Sequence, residues 1–193
     1  MSNTRIVSFD NEPLILVDSE DNVLGYETKE RAHDGEGMLH RAFSIFIFNS
    51  AGEVLMQQRH GDKRLWPLIW SNSCCSHPRK GESGDQAAAR RLYEELGLKT
   101  PLTYLYKFEY TAHYKNLGTE HELCSVYIGA TDEAPNVNAT EVADWHFIAP
   151  EELNARVAAH PEKFSPWFKM EWRELWDTYR PEIEKVIAGL KKS

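Results

Sequence analysis

Histidine, cysteine and glutamate residues recur at short spacings in this sequence, and these side chains bind metal ions and move protons. Glu120 and Glu122 flank a histidine, and Cys75 stands two residues before His77. In an extended strand, residues two apart point to the same side of the sheet. We therefore expect the two glutamates to converge, and we expect the same of Cys75 and His77.

Two further histidines, His33 and His40, flank a short polar stretch and bring the set to three imidazoles and two carboxylates. This set suits a mixed nitrogen and oxygen site for Mn²⁺, Mg²⁺ or Zn²⁺, and it does not select among them. A single histidine is more often a hydrogen-bonded structural residue. Spacing alone therefore leaves both roles open for each imidazole.

The cysteines form no disulfide framework. There are three of them, Cys74, Cys75 and Cys124, and two are adjacent in sequence. This pattern is typical of a protein from a reducing compartment. Because free cysteines are usually buried and inert, a role for Cys75 has to be argued from its neighbours.

Charge and composition limit the partners. The 193 residues are enough for a single domain, 1–193, and they carry a net charge of −8, which argues against nucleic acid and anionic membranes. No apolar run approaches the roughly 20 residues that span a bilayer, and the N-terminus lacks signal-peptide features. We therefore expect a cytoplasmic monomer that acts on a small molecule. Local clusters of positive charge would suit a small polyanion such as a diphosphate: Arg59, Lys63 and Arg64, then Arg79 and Lys80, then Arg90 and Arg91.

Strand patterns dominate the first half of the chain. An N-terminal hairpin is predicted at 14–17 and 23–26, followed by strands at 43–48 and 54–56 around a turn. The near-continuous apolar run at 43–48 is typical of a central strand. Three more strands are predicted, at 102–110, 120–129 and 143–148.

One helix is clearly delimited. Ser83 with Gln86 forms a capping-box pattern at its start, and Gly97 stands where a helix ends. Further helices are predicted at 151–159, after Ser165 and Pro166, and after Pro181. This order of elements predicts an α+β fold with layered α/β/α architecture.

The segment around this helix resembles the Nudix box. That pattern is Gly, five residues, Glu, seven residues, then Arg-Glu-apolar-any-Glu-Glu-any-Gly-apolar. Two positions depart, because Ser76 replaces the Gly and Arg91 replaces the Glu of the Arg-Glu pair. The matching positions are Glu82, Arg90, Leu92, Glu94, Glu95, Gly97 and Leu98.

The departure at Arg91 bears on the chemistry. Nudix hydrolases gather helix carboxylates around Mg²⁺ to activate water, and Arg91 replaces one such ligand with a positive charge. Arg91 and Glu95 lie four apart and share a helix face, where they could hold a phosphate and a Mg²⁺ or simply pair with each other. The pattern favours binding a diphosphate without cleaving it.

Four segments in order resemble type I isopentenyl-diphosphate delta-isomerase, a family of the Nudix fold with this altered box. The resemblance runs from about Ile15 to Trp167. It implies a mixed β-sheet flanked by helices, a Nudix-like core at about 38–170, and an additional N-terminal hairpin and C-terminal helices. The segments are KERAHDGEGMLHRAFSIFIF, LWPLIWSNSCCSHPRKGES, TEHELCSVY and FSPW.

The resemblance also implies an activity, the interconversion of isopentenyl diphosphate and dimethylallyl diphosphate by protonation and deprotonation of the alkene. Cys75 and Glu122 would be the catalytic pair on opposite faces of the alkene, with Tyr110 beside the carboxylate. Either of the pair could donate the proton in the forward direction. One divalent metal would be held by His33, His40, His77, Glu120 and Glu122. A second ion, Mg²⁺, would arrive with the diphosphate and bind Glu95 and the main-chain carbonyl of Cys75. The implied substrate contacts are Lys29, Arg59, Lys63, Ser76, Arg91 and Trp167.

The chemistry requires an acid, a base and shelter from water, because protonating an alkene gives a tertiary carbocation. We expect the metal and nearby cations to lower the pKa of Cys75 towards thiolate. The face of Trp167 would stabilise the cation by about 2 kcal/mol. For Trp172 and Trp176 we expect core packing at helical spacing.

Two alternatives remain. A Nudix hydrolase of a nucleoside or sugar diphosphate would explain the helix, but it leaves Cys75 and the histidines unexplained, and Arg91 counts against it. A non-enzymatic metal- or nucleotide-binding module is the other, and no residue in the sequence requires it.

Overall fold

The structure, a computed structural model, describes residues 3–191. Within that range nine strands form one mixed sheet with helices packed against it. The strands are β1 (Pro13–Val17), β2 (Val23–Thr28), β3 (His40–Phe48), β4 (Val54–Arg59), β5 (Trp70–Ser71), β6 (Cys74–Ser76), β7 (Thr103–Tyr114), β8 (Gly118–Ala130) and β9 (Val142–Ile148). The helices are α1 (Lys29–Ala32), α2 (Gly84–Leu96), α3 (Pro150–Ala159), α4 (Pro166–Thr178) and α5 (Arg180–Leu190), with a 3₁₀ helix at Pro161–Lys163.

Strand β3 is the centre of the sheet, as its apolar run predicts. It pairs antiparallel with β1, β4 and β6 and parallel with β8. All of its residues except Arg41 are buried. The parallel register sets His40 beside Glu122. The polar beginning of β3 therefore meets the Glu-His-Glu segment of β8.

Alternation along β3 divides the core into two layers. The odd-numbered residues of 43–47 pack with α2, whereas Phe46 packs on the opposite face with α4. There the ring of Phe46 stacks on that of Trp172 at 6.4 Å between centroids, and Trp176 stacks on Trp172 at 5.6 Å. The predicted α/β/α layering is confirmed, and so is core packing for these two tryptophans.

Helix α2 has the boundaries that its caps predict. The Ser83 hydroxyl accepts a hydrogen bond from the Gln86 N–H at 3.2 Å, and the Gln86 side chain accepts one from the Ser83 N–H at 3.0 Å. Gly97 adopts a φ of +68°, in the left-handed region that favours glycine. The capping box and the glycine terminator are both confirmed.

Several local features differ from the expectations. The polar stretch after β2 contains the short helix α1, and β5 and β6 are strands that were not predicted. Ser165 does precede α4, but its side chain makes no capping bond; its hydroxyl lies 2.9 Å from that of Ser71. Across residues 3–191 we find no helix with the length and apolarity that a membrane crossing requires.

Candidate active site

Four segments bring the predicted metal ligands together. His33 caps the C-terminus of α1, His40 begins β3, and His77 directly follows β6. Glu120 and Glu122 are on β8, where alternation points both to the same side. One donor atom from each of these five residues lies within 4.8 Å of the others. The predicted convergence of imidazoles and carboxylates is therefore observed.

Backbone carbonyls orient two of the imidazoles. His33 Nδ1 lies 2.6 Å from the Lys29 carbonyl, and His40 Nδ1 lies 2.7 Å from the Met38 carbonyl. These hydrogen bonds place the proton on Nδ1 and leave the Nε2 lone pair facing the cluster, as is usual for histidine ligands. His40 Nε2 is buried without a hydrogen-bond partner, which is unusual for a buried polar atom, and Glu120 Oε2 lies 2.7 Å from His33 Nε2. Both this and the donor set fit a divalent metal ion.

The ionised carboxylates and the neutral His77 suit a cation, whereas His33 would have to release a proton to bind one. Burial lowers the pKa of His33, but the Glu120 carboxylate more than offsets it and the net pKa is raised. Burial raises the pKa of both glutamates. His33 more than offsets this for Glu120, and His40 does so for Glu122, so that each pKa lies below its ordinary value. Burial, with His40 next, holds the pKa of His77 well below its usual range. The carboxylates are thus ionised and His77 is neutral, as metal ligands must be.

Tyr110 is the neighbour of Glu122 on β7. Its hydroxyl donates a hydrogen bond of 2.7 Å to Glu122 Oε2. Burial, with the Glu122 charge next, raises the pKa of Tyr110 well above its ordinary value. The phenol therefore stays protonated and holds the carboxylate in place. The predicted contact between these two residues is observed.

Cys75 lines the same cavity as Glu122, and its strand β6 and strand β8 both pair with β3. Strand β6 pairs it with Ser44, and Arg59 Nη1 lies 3.9 Å from its sulfur. Burial raises the pKa of the Cys75 thiol to about 12, although Arg59 opposes this. The cationic side chains alone therefore do not lower this pKa, because one guanidinium does not compensate for the loss of solvent; a lowering by a bound metal ion stays a prediction.

The implied substrate contacts surround this cavity. It has a volume of about 60 Å³ and merges into a neighbouring one of about 250 Å³ that shares Lys29, Arg59 and Lys63. Its lining brings together all six predicted substrate residues, the catalytic residues and Glu95: Lys29, Arg59, Lys63, Cys75, Ser76, Arg91, Glu95, Tyr110, Glu122 and Trp167.

Acidic partners hold the positive side chains here. Arg91 pairs with Glu95 and lies 3.4 Å from Glu141, and Lys63 also pairs with Glu141. Burial lowers the pKa of Arg91, but these carboxylates more than reverse this, so the guanidinium stays charged. The spacing of Arg91 and Glu95 allowed them either to hold a phosphate and a Mg²⁺ or to pair with each other, and in the structure they form the ion pair.

Some lining residues were not predicted. Glu141 pairs with both Lys63 and Arg91. The Ser8 hydroxyl accepts a hydrogen bond of 2.6 Å from Lys29, and Gln57 also lines the cavity. None belongs to a recognisable motif. Each reaches the cavity through tertiary packing, and no spacing in the sequence indicates it.

Trp167, in the first turn of α4, also lines the cavity. Its indole N–H donates to the Ser71 hydroxyl at 3.0 Å, and Arg59 lies 5.4 Å from the ring centroid. Arg59 thus links the cationic part of the cavity to its aromatic end. The ring is 3% exposed, so it shields that end from solvent.

Comparison with known proteins defines the class first. A model of the NUDIX domain matches residues 38–168. A crystal structure of DR0079 from Deinococcus radiodurans superimposes with a TM-score of 0.63 at 26% identity, covering 77% of this chain and 90% of that one. A MutT protein from Methanosarcina mazei shares the fold, with a TM-score of 0.59 at 17% identity over 72% and 93% of the two chains. The predicted Nudix fold is confirmed.

Sequence relatives then define the family. The Isopentenyl-diphosphate Delta-isomerase 1 of Photorhabdus laumondii is 45% identical over 85% of this chain and 94% of its own. The Isopentenyl-diphosphate Delta-isomerase of Pectobacterium atrosepticum is 40% identical over 88% and 96%. The chain belongs to the isopentenyl-diphosphate Delta-isomerase family.

Proposed function

We propose that this chain is an isopentenyl-diphosphate delta-isomerase, which interconverts isopentenyl diphosphate and dimethylallyl diphosphate in isoprenoid biosynthesis. The observation that carries the proposal is one cavity lined by both Cys75 and Glu122, whose carboxylate accepts the hydrogen bond from Tyr110. An acid and a base that line one cavity are what a proton transfer across an alkene requires.

The diphosphate serves as a handle. Lys29, Arg59, Lys63 and Arg91 bind it, with Ser76 as a further contact. Two of these cations already pair with Glu95 or Glu141, so the diphosphate would exchange places with carboxylates as it binds. Binding energy far from the reacting carbons then fixes the tail between Cys75 and Glu122.

Cys75 and Glu122 exchange a proton with the alkene from opposite faces. In one direction one group protonates the terminal carbon and the other removes a proton from the far side; in the reverse direction they swap roles. Tyr110 keeps the Glu122 carboxylate aimed at the substrate through its hydrogen bond. Trp167 closes the hydrocarbon end and excludes water, and its ring stabilises the tertiary cation by about 2 kcal/mol.

Two cation sites complete the proposal. His33, His40, His77, Glu120 and Glu122 would hold one divalent ion, Mn²⁺, Mg²⁺ or Zn²⁺, and Glu95 with the Cys75 carbonyl would hold a Mg²⁺ that binds with the diphosphate. The first ion would supply positive charge that sets the acidity of Glu122. Arg91 meanwhile occupies the place of an acidic residue of the hydrolytic box, which disfavours water attack on the diphosphate.

We further propose that residues 1–193 form one domain with a Nudix core at about 38–170. The chain would act as a cytoplasmic monomer on isopentenyl diphosphate, without a nucleic-acid or membrane partner. Sedimentation of the purified protein would test the monomer directly, since a dimer would sediment as twice the 22.3 kDa mass.

The deciding experiment is turnover in heavy water. With Mg²⁺ present, isopentenyl diphosphate should become dimethylallyl diphosphate, should gain deuterium at exchangeable carbons and should release no phosphate. Glu122→Gln should lower the rate by roughly 10²–10⁴-fold. The exposed neighbour variant Glu109→Gln should keep it. Phosphate release from a nucleoside or sugar diphosphate without isomerisation would instead support the hydrolase alternative.

A further inference from the structure

A second cavity, partly open to solvent, lies between strands β4, β5 and β9 and the segment from α3 to Phe164. Its volume is about 310 Å³, at the lower end of the range of roughly 300–1,000 Å³ for small-molecule pockets. It has no lining residue in common with the active-site cavity. Nothing in the chemistry proposed above uses it.

The lining divides into an apolar floor and a basic rim. The floor and walls are formed by Met56, Trp70, Ile148, Leu153 and Phe164, and the rim by His146, Arg156, His160 and Lys163. Among residues 3–191 no carboxylate lines the cavity, although Glu152 pairs with Arg156 and Glu162 pairs with His160 beside it. An apolar interior with a cationic edge suits a molecule that has a hydrocarbon chain and an anionic head.

Arg156 and Lys163 give the rim positive charge although the chain carries a net charge of −8. Arg156 Nη1 lies 3.5 Å from His146 Nε2, which accepts from it, so the remaining guanidinium donors and the Lys163 ammonium are the groups that an anionic oxygen could meet. Lys163 is exposed and has no acidic partner within residues 3–191. Within the same range Arg156 forms an ion pair only with Glu152, at 2.6 Å on the exposed surface of α3, where water screens such a pair and leaves it weak.

A short chain of contacts connects this cavity to the active site. Trp70 lines this cavity, and the Trp70 ring lies 4.4 Å from the His146 ring between centroids. The Trp70 carbonyl accepts a hydrogen bond of 2.9 Å from the Ser165 N–H. The next residue, Ser71, accepts the hydrogen bond from Trp167. A ligand that displaced the Trp70 ring would therefore press on the strand that positions Trp167.

We propose that this cavity is a regulatory site for an amphiphilic phosphate, an apolar chain with a phosphate head. The chain lies on the apolar floor, and the head meets Arg156 and Lys163 at the rim. Its occupancy alters the turnover of the isomerase by shifting Trp70 and, through Ser71, the ring of Trp167. The binding step is independent of the proposed activity, whereas the effect on turnover rests on it.

Octyl phosphate is a suitable probe, with binding measured by calorimetry below its micelle concentration. We expect one site per chain, and at least tenfold weaker binding in Arg156→Glu/Lys163→Glu, whose side chains are exposed. The matched control is Arg173→Glu/Lys185→Glu, because it also reverses one arginine paired within its helix and one unpaired lysine on an exposed surface. The control should bind within twofold of the parent chain. No saturable binding, or equal loss in both double variants, would overturn the site.

The effect on turnover is tested with the same proteins. Octyl phosphate should change kcat by at least twofold in the parent chain and in the control, and should leave kcat unchanged in Arg156→Glu/Lys163→Glu, whose basal activity should be normal. Purely competitive inhibition that persists in the rim variant would mean that the probe binds only at the active site. Binding that is lost in the rim variant but never alters kcat would overturn the regulatory role.

Discussion

Two adjacent cysteines have opposite environments because successive side chains of a strand point to opposite faces. Cys74 is fully buried in the apolar layer beneath α2, whereas Cys75 lines the cavity with Glu122. Substitution of Cys74 is therefore the matched control for substitution of Cys75. The difference follows from strand alternation once the strand β6 is known, but the sequence alone does not reveal so short a strand.

Substituting each cysteine in turn should separate activity from stability. Cys75→Ala should lose isomerisation by at least about 10²-fold, the loss typical of a missing acid–base group, with an unchanged Tm. Cys74→Ala should keep the activity and lose about 1 kcal/mol of stability, because it leaves a small cavity. Steady-state assays and thermal melts on the two variants check this. Near-normal activity of Cys75→Ala would contradict the proposed role.

Metal binding should be visible without any substrate. The ligand cluster exists only in the folded chain, so an ion that occupies it stabilises the fold by about 2.7 kcal/mol at a concentration 100 times its Kd. We expect Mn²⁺ or Zn²⁺ to raise the Tm of the chelator-treated protein. His40→Ala should lose this increase. His121→Ala should retain it, because His121 pairs with Glu109 outside the cluster.

Alternation on β8 was enough to predict that Glu120 and Glu122 converge, whereas the family resemblance was needed to bring the three histidines into the same set. Neither was enough for the pKa of Cys75. That value depends on how much solvent the folded chain removes from the thiol, and only the tertiary structure determines it. The same reason explains why Glu141, held by two cations from distant segments, carried no sequence pattern.

At the scale of elements, α4 contributes both Trp167 and an unusual buried acid. Glu171 is fully buried, accepts a hydrogen bond of 3.5 Å from the Cys124 thiol, and leaves Oε2 without a partner. Burial raises the pKa of Glu171 to about 8, although Ser44 and Cys124 oppose this. The helix therefore carries a carboxyl group that is neutral when folded at neutral pH.

This group makes stability depend on pH. Below about pH 4.5, the ordinary value, both the folded and unfolded chains keep the proton. As the pH rises from there to about 8, the unfolded chain releases the proton first, so the folded state loses stability. Glu171→Gln removes this loss and should be more stable than the parent chain at pH 8.5 by roughly 2–4 kcal/mol, but not at pH 4.5. Denaturant titrations at both values measure it.

Glu174→Gln is the control for that comparison, because Glu174 is exposed on the same helix. It should change stability equally at both pH values. A Glu171→Gln advantage that does not vary with pH would mean that the carboxyl is ionised throughout.

The longer elements were predictable from sequence, and the shortest were not. Helix α2 was delimited because Ser83, Gln86 and Gly97 have local conformational requirements, and β3 because its apolar run is long. Strands β5 and β6 contain only two and three residues, too few for periodicity to appear. Their pairing with β4 and β3 depends on contacts that no local pattern encodes.

For the whole molecule, the decisive feature is that the candidate active site has no local origin. Its proposed metal ligands lie at the end of α1, on β3, directly after β6 and on β8, and the central strand β3 pairs with both β6 and β8. The family resemblance compensated for this at the sequence level, because it supplied the combination of segments that spacing alone could not. Ligand geometry is therefore a property of the assembled sheet.

It follows that metal release and global unfolding should be one event. In a urea titration of the Mn²⁺-loaded protein, unfolding is followed by tryptophan fluorescence and Mn²⁺ release by the electron paramagnetic resonance signal of the free ion. The two transitions should have the same midpoint. Ser83→Ala, which removes the N-cap of α2 far from the ligands, should cost about 1 kcal/mol and lower both midpoints equally. Mn²⁺ release well before the fluorescence change would instead mean that the N-terminal ligands detach while the sheet stays folded.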